Sequence, residues 1–286
     1  MSIIVEGPNA EQIRYWNEIS GPKWVALNEF LDAQIHPLGA HAIDRARLAP
    51  GETVLDVGCG CGATSLELAR RVGAGGSVTG LDISAPMLQR ARERAHEAGL
   101  AQVTFENADA QTHPFAPAFD LIFSRFGVMF FAQPAEAFAN LRRALRPGGR
   151  LSFVCWQALP ENPWMFVPFL AAAPHLSLPP PPAPDAPGPF AFADPERVRS
   201  ILADAGFVSI ALEDLHTTLT IGAGESLDRI VDAMLQLGPT GSALRQSAPE
   251  IWPRVQTAVR EALQAHYTEE GLQMSAAAWV VTARGD

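Results

Sequence analysis

The sequence has few cysteines and no spacing typical of a metal site. Three cysteines occur in 286 residues, at Cys59, Cys61 and Cys155. Cys59 and Cys61 share one glycine-rich segment without a companion Cys-x-x-Cys pair, so we expect neither a disulfide framework nor a structural zinc site. No cluster of His, Asp and Glu has ligand spacing, so we expect no metal. The low cysteine content fits a reducing cytoplasm.

Basic clusters and long apolar runs are also missing. Lys and Arg number 21 against 31 Asp and Glu, and no run of basic residues exceeds two. A protein that binds nucleic acid needs a basic face against the phosphates, so we expect no nucleic-acid partner. The apolar stretch Met165–Ala173 is far shorter than the roughly 20 residues that span a bilayer. Met1–Ala10 does not have the pattern of a signal peptide, so we expect a cytoplasmic protein with no membrane partner.

From Thr53 onward, short apolar runs alternate with helical patterns. The runs predict strands over Thr53–Val57, Ser77–Leu81, Val103–Glu106, Leu121–Phe123, Leu151–Trp156, Phe207–Leu212 and Ala278–Ala283. Helices are predicted near Ala63–Val72, Pro86–Ala98 and Ala135–Leu145. Parallel strands need a covering helix at each crossover. We therefore expect an α/β fold with a doubly wound, mostly parallel, seven-stranded sheet of Rossmann-like type.

Four segments are expected along the chain. Residues 1–50 predict an N-terminal helical cap, in which Asn9 caps a helix that ends at Gly21-Pro22 and a second helix follows from Trp24. Residues 51–157 form the ligand-binding α/β core. Residues 158–193 are aromatic and proline-rich, which suggests a lid over a substrate. Residues 194–286 complete the sheet and carry a helical insertion at about 225–268, because that stretch is too long for a plain connection.

The strongest functional signal is Val54–Gly62, a buried strand that enters a glycine-rich turn and then a helix. Glycines let a ligand approach the backbone, and a helix start offers it free N–H groups. Gly58, Gly60 and Ala63 also satisfy a relaxed dinucleotide fingerprint, with Asp82 near the position of the ribose-binding acid. This segment alone therefore leaves a nicotinamide-dependent oxidoreductase open.

Four further features accompany this turn. They are Asp56 before the first glycine, Leu81-Asp82-Ile83-Ser84, Asn107-Ala108-Asp109-Ala110, and Leu145-Arg146-Pro147-Gly148-Gly149-Arg150-Leu151. With these features, the block from Glu52 to Trp156 resembles the class I S-adenosylmethionine-dependent methyltransferase family, especially its small-molecule branch that includes quinone-biosynthesis enzymes. An oxidoreductase would leave Asp56, Asp109 and the Arg-Pro-Gly-Gly turn unexplained.

The resemblance implies S-adenosylmethionine as cofactor and S-adenosylhomocysteine as product. Asp56 would lie near the methionine amino group, Asp82 would accept from both ribose hydroxyls, and Asp109 would meet the adenine amino group. Alternatively, Asp56 braces the turn, Asp82 begins a helix and Asp109 is an ordinary turn residue. The expected cofactor-binding residues are Asp56, Gly58, Cys59, Gly60, Gly62, Asp82, Ile83, Met87, Ala108, Asp109, Ala110, Ser124, Arg125, Tyr15 and Trp16.

The acceptor side is expected after the fourth strand, where the family joins cofactor and acceptor. The expected substrate contacts are Phe126, Met129, Phe130, Trp156 and Trp164, although these aromatic and apolar residues could equally pack as core. His113, in a polar loop after Asp109, and Tyr15 are candidates for a general base. His113 could instead be a solvated loop histidine, and Trp16 could be a core residue.

The predicted function is methyl transfer by in-line displacement to a small, apolar organic molecule. A catalytically silent S-adenosylmethionine-binding module, acting as a sensor or partner protein, remains an alternative because it would keep every binding motif. A nicotinamide-dependent oxidoreductase is a weaker alternative. Leu235, Leu237 and Ile251 could belong to a homodimer surface as easily as to a lid.

Overall fold

The N-terminal helices differ in their boundaries from the prediction. The computed structural model describes residues 3–178, 183 and 185–285. Helix α1 (Ala10–Arg14) continues through a π-helical turn (Tyr15–Ile19) into α2 (Ser20–Ala26), and α3 (Asn28–Arg45) follows. Asn9 forms no side-chain cap. Gly21-Pro22 does not end a helix, because both residues lie within α2.

The first half of the sheet follows the predicted alternation. Its elements are β1 (Thr53–Val57), α4 (Ala63–Val72), β2 (Ser77–Asp82), α5 (Ala85–Glu97), β3 (Val103–Asn107), β4 (Phe119–Arg125), α6 (Pro134–Ala144) and β5 (Leu145–Trp156). These five strands pair in parallel in the order β3-β2-β1-β4-β5. Ser84 precedes α5 as expected, but its hydroxyl donates to the carbonyl of Trp16, 2.7 Å away, and not to the helix.

The second half adds long antiparallel strands and several helices. Its elements are α7 (Pro163–Ala172), α8 (Pro195–Asp204), β6 (Val208–Ile221), α9 (Leu227–Met234), α10 (Gly238–Arg245), α11 (Trp252–Leu263), β7 (Tyr267–Thr268) and β8 (Gly271–Arg284). β8 pairs antiparallel with both β5 and β6, and each of β6 and β8 has 14 residues, well beyond the predicted lengths. The predicted Pro179–Pro182 segment lies outside the described residues.

The sheet has eight strands among the described residues, where seven were predicted. Seven form the path β3-β2-β1-β4-β5-β8-β6, and the additional β7 is a two-residue strand paired with β8. Such a short hairpin strand carries no hydrophobic alternation that a sequence pattern could reveal. No helix within the described ranges has the length and apolar character needed to cross a membrane.

The strand order places a crevice at one edge of the sheet. The chain runs outward from β1 to β3 on one side and from β4 to β5 on the other. In open α/β sheets, ligands bind beyond the carboxyl ends of the strands at this reversal. The fold therefore directs attention to the residues that follow β1, β2, β3 and β4.

Candidate active site

The glycine turn after β1 lies tightly against the end of β4. Gly58, Gly60 and Gly62 have φ values of +67°, +56° and +82°. This left-handed region is costly for residues with a Cβ atom. A Cβ on Gly58 would also lie 2.8 Å from the Cα of Gly127. The turn thus needs glycine for both its conformation and its packing.

Asp82 joins this turn to the end of β2. Its two carboxylate oxygens accept from the amides of Gly60 and Ser84, each at 2.8 Å. Burial raises the pKa of Asp82, and the backbone donors partly oppose that shift. Each oxygen can still accept a second hydrogen bond. The carboxylate lines the cavity and is suited to bind a pair of adjacent hydroxyl groups.

Asp109 follows β3 and is held by the N-terminal segment. The Nδ2 atom of Asn9 donates to both of its oxygens, at 3.0 and 2.9 Å, and to Gln111 Oε1 at 3.1 Å. The Asn9 oxygen accepts from the amide of Ala132 at 2.8 Å. The structure therefore corrects the capping prediction for Asn9. This buried side chain belongs to the site, and no local pattern indicates that.

Asp56 lies just behind the cavity wall. Its Oδ2 atom accepts from Thr64 at 2.8 Å and Ser65 at 2.6 Å, while its buried Oδ1 atom has no partner among the described residues. Burial raises the pKa of Asp56 to about 6, although the hydroxyl donors and Arg125 act in the opposite direction. An orphaned carboxylate oxygen of this kind fits a cationic group bound nearby.

A cavity of about 750 Å³ opens over these acids. Its walls come from the N-terminal helices, the ends of β1 to β5, and residues of α7, α9 and α10. Most of the predicted cofactor residues line it: Gly58, Cys59, Gly60, Asp82, Ile83, Met87, Ala108, Asp109, Ala110, Arg125, Tyr15 and Trp16. All predicted substrate residues line it as well: Phe126, Met129, Phe130, Trp156 and Trp164.

Besides Asp56, two predicted cofactor residues lie behind the cavity wall. The Ser124 hydroxyl donates to the carbonyl of Val57 at 2.8 Å and accepts from the amide of Gly127 at 3.3 Å, so it braces the chain between β1 and β4. Gly62 faces α5, where an added Cβ would lie 2.9 Å from the Cβ of Ala91. Like Asp56, neither lines the cavity, and cofactor contact stays a prediction for all three residues.

The geometry also argues against His113 as a base. His113 lies outside the large cavity and lines a separate one of about 230 Å³. Its Nδ1 atom is 3.5 Å from Glu106 Oε1, and its ring contacts Phe115 with centroids 4.6 Å apart. Tyr15 lines the cavity, and its hydroxyl lies 3.5 Å from Nη2 of Arg245.

Aromatic rings form the far wall. Phe126 and Trp156 stack with centroids 4.0 Å apart and an interplanar angle of 11°, and Trp164 lies 5.3 Å from Trp156. Phe126 adopts a φ of +59°, an uncommon value for a residue with a large side chain. Strained backbone of this kind persists where the surrounding packing holds it in place. The stacked pair offers a flat apolar surface to a ligand.

An ion-pair network missed by sequence reasoning links α3 to the glycine turn. Asp32 binds Arg125 at 2.7 Å through Oδ1 and Arg94 at 2.8 Å through Oδ2. Arg94 also donates to the carbonyl of Cys61 at 2.9 Å. Arg125 is the only Lys or Arg among the described residues that line the cavity, and its charge is already paired. These partners are far apart in the sequence, so no motif signals them.

The fold belongs to the doubly wound α/β class, and the described residues that line its cavity include three carboxylates and one cationic side chain, Arg125. A family model described as "Methyltransferase domain" matches residues 54–149. Nocamycin O-methyltransferase from Saccharothrix syringae is 31% identical over 200 residues, which cover 65% of this chain and 69% of that protein. The chain therefore belongs to the S-adenosylmethionine-dependent methyltransferase family.

Other relatives match over shorter spans. Aklanonic acid methyltransferase DauC from Streptomyces sp. (strain C5) is 38% identical over 41% of this chain and 54% of its own length. The ubiquinone/menaquinone biosynthesis C-methyltransferase UbiE from Methylococcus capsulatus is 36% identical over 52% of this chain and 61% of its own length. The chain thus spans less than two thirds of these two relatives.

Solved structures share the fold. The YcgJ protein from Bacillus subtilis has a TM-score of 0.57 at 17% identity, covering 87% of this chain and 98% of that one. Phosphoethanolamine N-methyltransferase 2 from Haemonchus contortus, solved with S-adenosyl-L-methionine, has a TM-score of 0.53 at 21% identity, covering 87% and 52%. These matches confirm the α/β fold predicted from the sequence.

Proposed function

We propose that this chain transfers a methyl group from S-adenosylmethionine to a small, largely apolar organic molecule. The observation that carries the proposal is the single cavity of about 750 Å³ that joins the buried acids Asp82 and Asp109 to the wall of stacked aromatic rings. The acids suit a nucleoside, and the aromatic wall suits an apolar acceptor. A cavity that holds both ligands is what a transfer between them needs.

The cofactor fits the residues at the ends of β1 to β3. Asp82 is proposed to accept from the two ribose hydroxyls, and Asp109, held by Asn9, to accept from the adenine amino group. The orphaned Oδ1 atom of Asp56 is proposed to favour the methionine ammonium group. A pyrophosphate would instead meet these carboxylates with the paired Arg125 as the only cation among the described residues of the wall. The site therefore favours a sulfonium nucleoside over a dinucleotide.

The chain's own contribution to the reaction is chiefly alignment. When bound, S-adenosylmethionine supplies an activated methyl group on a positively charged sulfur. Phe126, Trp156 and Trp164 would hold the acceptor flat and exclude water, and Met129 and Phe130 would close the space between the two ligands. Well-ordered reactants can gain roughly 7–11 kcal/mol from orientation alone. Residues that bind and orient the two ligands can therefore supply most of the rate acceleration.

The relatives support a small acceptor but do not identify it. Their names refer to aklanonic acid, nocamycin and ubiquinone/menaquinone biosynthesis, and include both O- and C-methyltransferases.

We further propose that no nucleic acid takes part, since the net charge is −10. A cytoplasmic location is proposed on the three free cysteines. The homodimer stays a prediction; Leu235 is buried and Leu237 lines the cavity, which favours their role in a lid.

The proposal is tested by calorimetric titration with S-adenosylmethionine, S-adenosylhomocysteine, NAD and NADP. We expect micromolar binding of the two adenosyl-sulfur ligands and none of the dinucleotides. Binding of a dinucleotide alone would overturn the proposal. Transfer of label from methyl-labelled cofactor to a panel of small acceptors then separates an enzyme from a silent binding module.

A further inference from the structure

Two cationic side chains lie close together at the edge of the cavity without an acidic partner. Lys23 belongs to α2, and Arg245 is the last residue of α10. Burial and the positive charge of Arg245 lower the pKa of Lys23. Neither side chain forms an ion pair with a carboxylate of the described residues. Like charges held near each other repel, so this pair favours a bound anion that offsets the repulsion.

Arg245 is held in place and brings a third donor to the pair. Its Nη1 atom donates to the carbonyl of Gln236 at 3.0 Å, and its Nη2 atom donates to the hydroxyl oxygen of Tyr15 at 3.5 Å. The Tyr15 hydroxyl accepts in that contact and keeps its own hydrogen for another acceptor. Lys23 and Arg245 are both partly exposed, so an ion from solvent can reach them.

The two cations lie beside the opening of the large cavity. Lys23 and Arg245 do not line it, but Tyr15 does, and so do Trp24 and Gln246, the residues that follow the two cations in the chain. Gln246 lines the cavity and is also exposed to solvent, so this stretch of wall belongs to the rim. An anion held here would lie where a molecule enters the cavity.

We infer that Lys23, Arg245 and the Tyr15 hydroxyl form an anion-binding site at the rim of the cavity, which takes a carboxylate or a phosphate group. The ammonium, the guanidinium and the hydroxyl all donate hydrogen bonds, and the two cations supply the opposite charge. The anion is either free in solution or carried by a molecule whose apolar part lies in the cavity. The fold alone creates this site, which does not depend on the proposed methyl transfer.

An anion in this site would join two parts of the chain that are distant in the sequence. Tyr15 and Lys23 belong to the N-terminal helices, whereas Arg245 belongs to α10. The bound anion replaces the repulsion between the two cations with attraction of both to the same group. We therefore expect anion binding to hold the N-terminal helices and α10 together over the cavity and to slow hydrogen exchange in α2 and α10.

The test uses Lys23, the only lysine in the chain, as a probe. Reductive methylation with isotope-labelled formaldehyde keeps the positive charge of a lysine, and the NMR signal that is absent from Lys23→Arg is assigned to Lys23. Inorganic phosphate is then titrated against chloride at constant ionic strength, so that general screening does not change. We expect the Lys23 signal to shift with phosphate and to reach saturation.

Three variants show whether the response is specific. Arg245→Gln should weaken phosphate binding about tenfold, because a charged hydrogen-bond donor is lost. Tyr15→Phe, which removes only the hydroxyl, should weaken it by a smaller factor. Arg254→Gln, at an exposed position of α11, is the matched control and should bind phosphate as the wild-type protein does. Absence of a saturable shift in the wild-type protein, or wild-type affinity in Arg245→Gln, would overturn the inference.

A second pair of probes identifies the source of the anion. Phenylbutyrate carries a carboxylate on a flexible tail, and phenylbutyramide is its neutral counterpart. An anion carried by the molecule in the cavity predicts that phenylbutyrate binds about tenfold more tightly in calorimetry, and that Arg245→Gln removes this preference. Equal binding of the two probes, together with the shift of Lys23 by phosphate, would assign the site to a free anion.

These titrations need no cofactor, so they separate the anion site from the proposed function. Failure of the protein to bind S-adenosylhomocysteine would contradict the proposed function and leave the anion site intact. Failure of phosphate to shift the Lys23 signal would remove the anion site and leave the proposed function intact.

Discussion

At the scale of single residues, Asp56 shows how burial can be put to use. Its carboxyl group has two hydroxyl donors on one oxygen and no partner on the other. Burial raises its pKa to about 6, so the folded protein holds this proton more tightly than the unfolded chain. Its contribution to stability is full below the ordinary pKa of an aspartate and is lost as the pH rises towards 6.

A bound ammonium group would change that balance, because it favours the carboxylate over the carboxylic acid. We expect the affinity for S-adenosylmethionine to rise from about pH 5 to about pH 7 and to level off above that. Asp56→Asn should flatten the dependence. Calorimetry across this range measures it, with methylthioadenosine, which has no methionine amino group, as the control ligand. An equally steep dependence for methylthioadenosine would contradict the role proposed for Asp56.

Gly58 combines a left-handed conformation with a backbone contact. In Gly58→Ala, the new Cβ would lie 2.8 Å from the Cα of Gly127 at a φ of +67°. We expect a loss of stability of about 1–3 kcal/mol and at least a tenfold loss of nucleoside affinity. Urea unfolding and calorimetry measure the two effects. Gly224→Ala is the matched control, since that glycine also has a positive φ but no atom near its Cβ position. Equal losses of stability and affinity in both variants would show that backbone strain alone, and not the contact with Gly127, is responsible for them.

At the scale of the elements, the N-terminal helices are hydrogen-bonded to the segments that follow β2 and β3, where we propose that the nucleoside binds. Asn9 holds Asp109, the Asn17 side chain donates to the carbonyl of Ile83 at 2.9 Å, and the Ser84 hydroxyl donates to the carbonyl of Trp16. The same helices carry Tyr15 and Trp16 into the cavity wall. Closing of this cap and binding of the nucleoside are therefore expected to support one another.

Replacing Asn9 by alanine tests this coupling. Hydrogen bonds to charged groups contribute about 1.5–3 kcal/mol, so we expect Asn9→Ala to lower nucleoside affinity roughly 10- to 100-fold. Hydrogen exchange of α1 and α2 should also become faster in the free protein. Glu11→Ala, at an exposed position of the same helix, should change neither quantity. Unchanged affinity in Asn9→Ala would show that the cap does not support Asp109.

The elements that could be predicted from the sequence are those with strong local patterns. β1 and α4 have the predicted bounds, because an apolar run, a glycine turn and an amphipathic segment follow one another. Asn9 and Asp32 could not be predicted as site residues, since their partners lie far along the chain. The long β6 and β8 were predicted too short, because much of β6 is exposed and has no clear apolar alternation.

At the scale of the whole molecule, the cavity is built from distant parts of the chain. The glycine turn, the N-terminal helices, and residues of α7, α9 and α10 all contribute to its wall. A nucleoside bound there contacts several of these parts at once. Its binding energy should therefore appear as stability of the entire fold.

Thermal unfolding measures this linkage. Ligand at 100 times its dissociation constant adds about 2.7 kcal/mol to the free energy of unfolding. For a chain of this size, with an unfolding entropy of about 0.6 kcal/mol/K, that corresponds to a rise in Tm of roughly 4–5 °C. We expect this rise with S-adenosylhomocysteine and none with NAD at the same concentration. A rise with NAD of the same size would favour the oxidoreductase alternative.

The division of the cavity between chain segments also bears on how such a protein can diversify. The family match ends at residue 149, whereas α7, α9 and α10, which also contribute to the cavity wall, lie beyond it. Substitutions in those helices can reshape the space for the acceptor without disturbing Asp82 or Asp109. Exchanging residues 227–246 for the equivalent helices of a relative should therefore produce a chimaera with altered acceptor choice and intact nucleoside binding. The architecture allows the residues around the acceptor to change in evolution while the residues proposed to bind the nucleoside are kept.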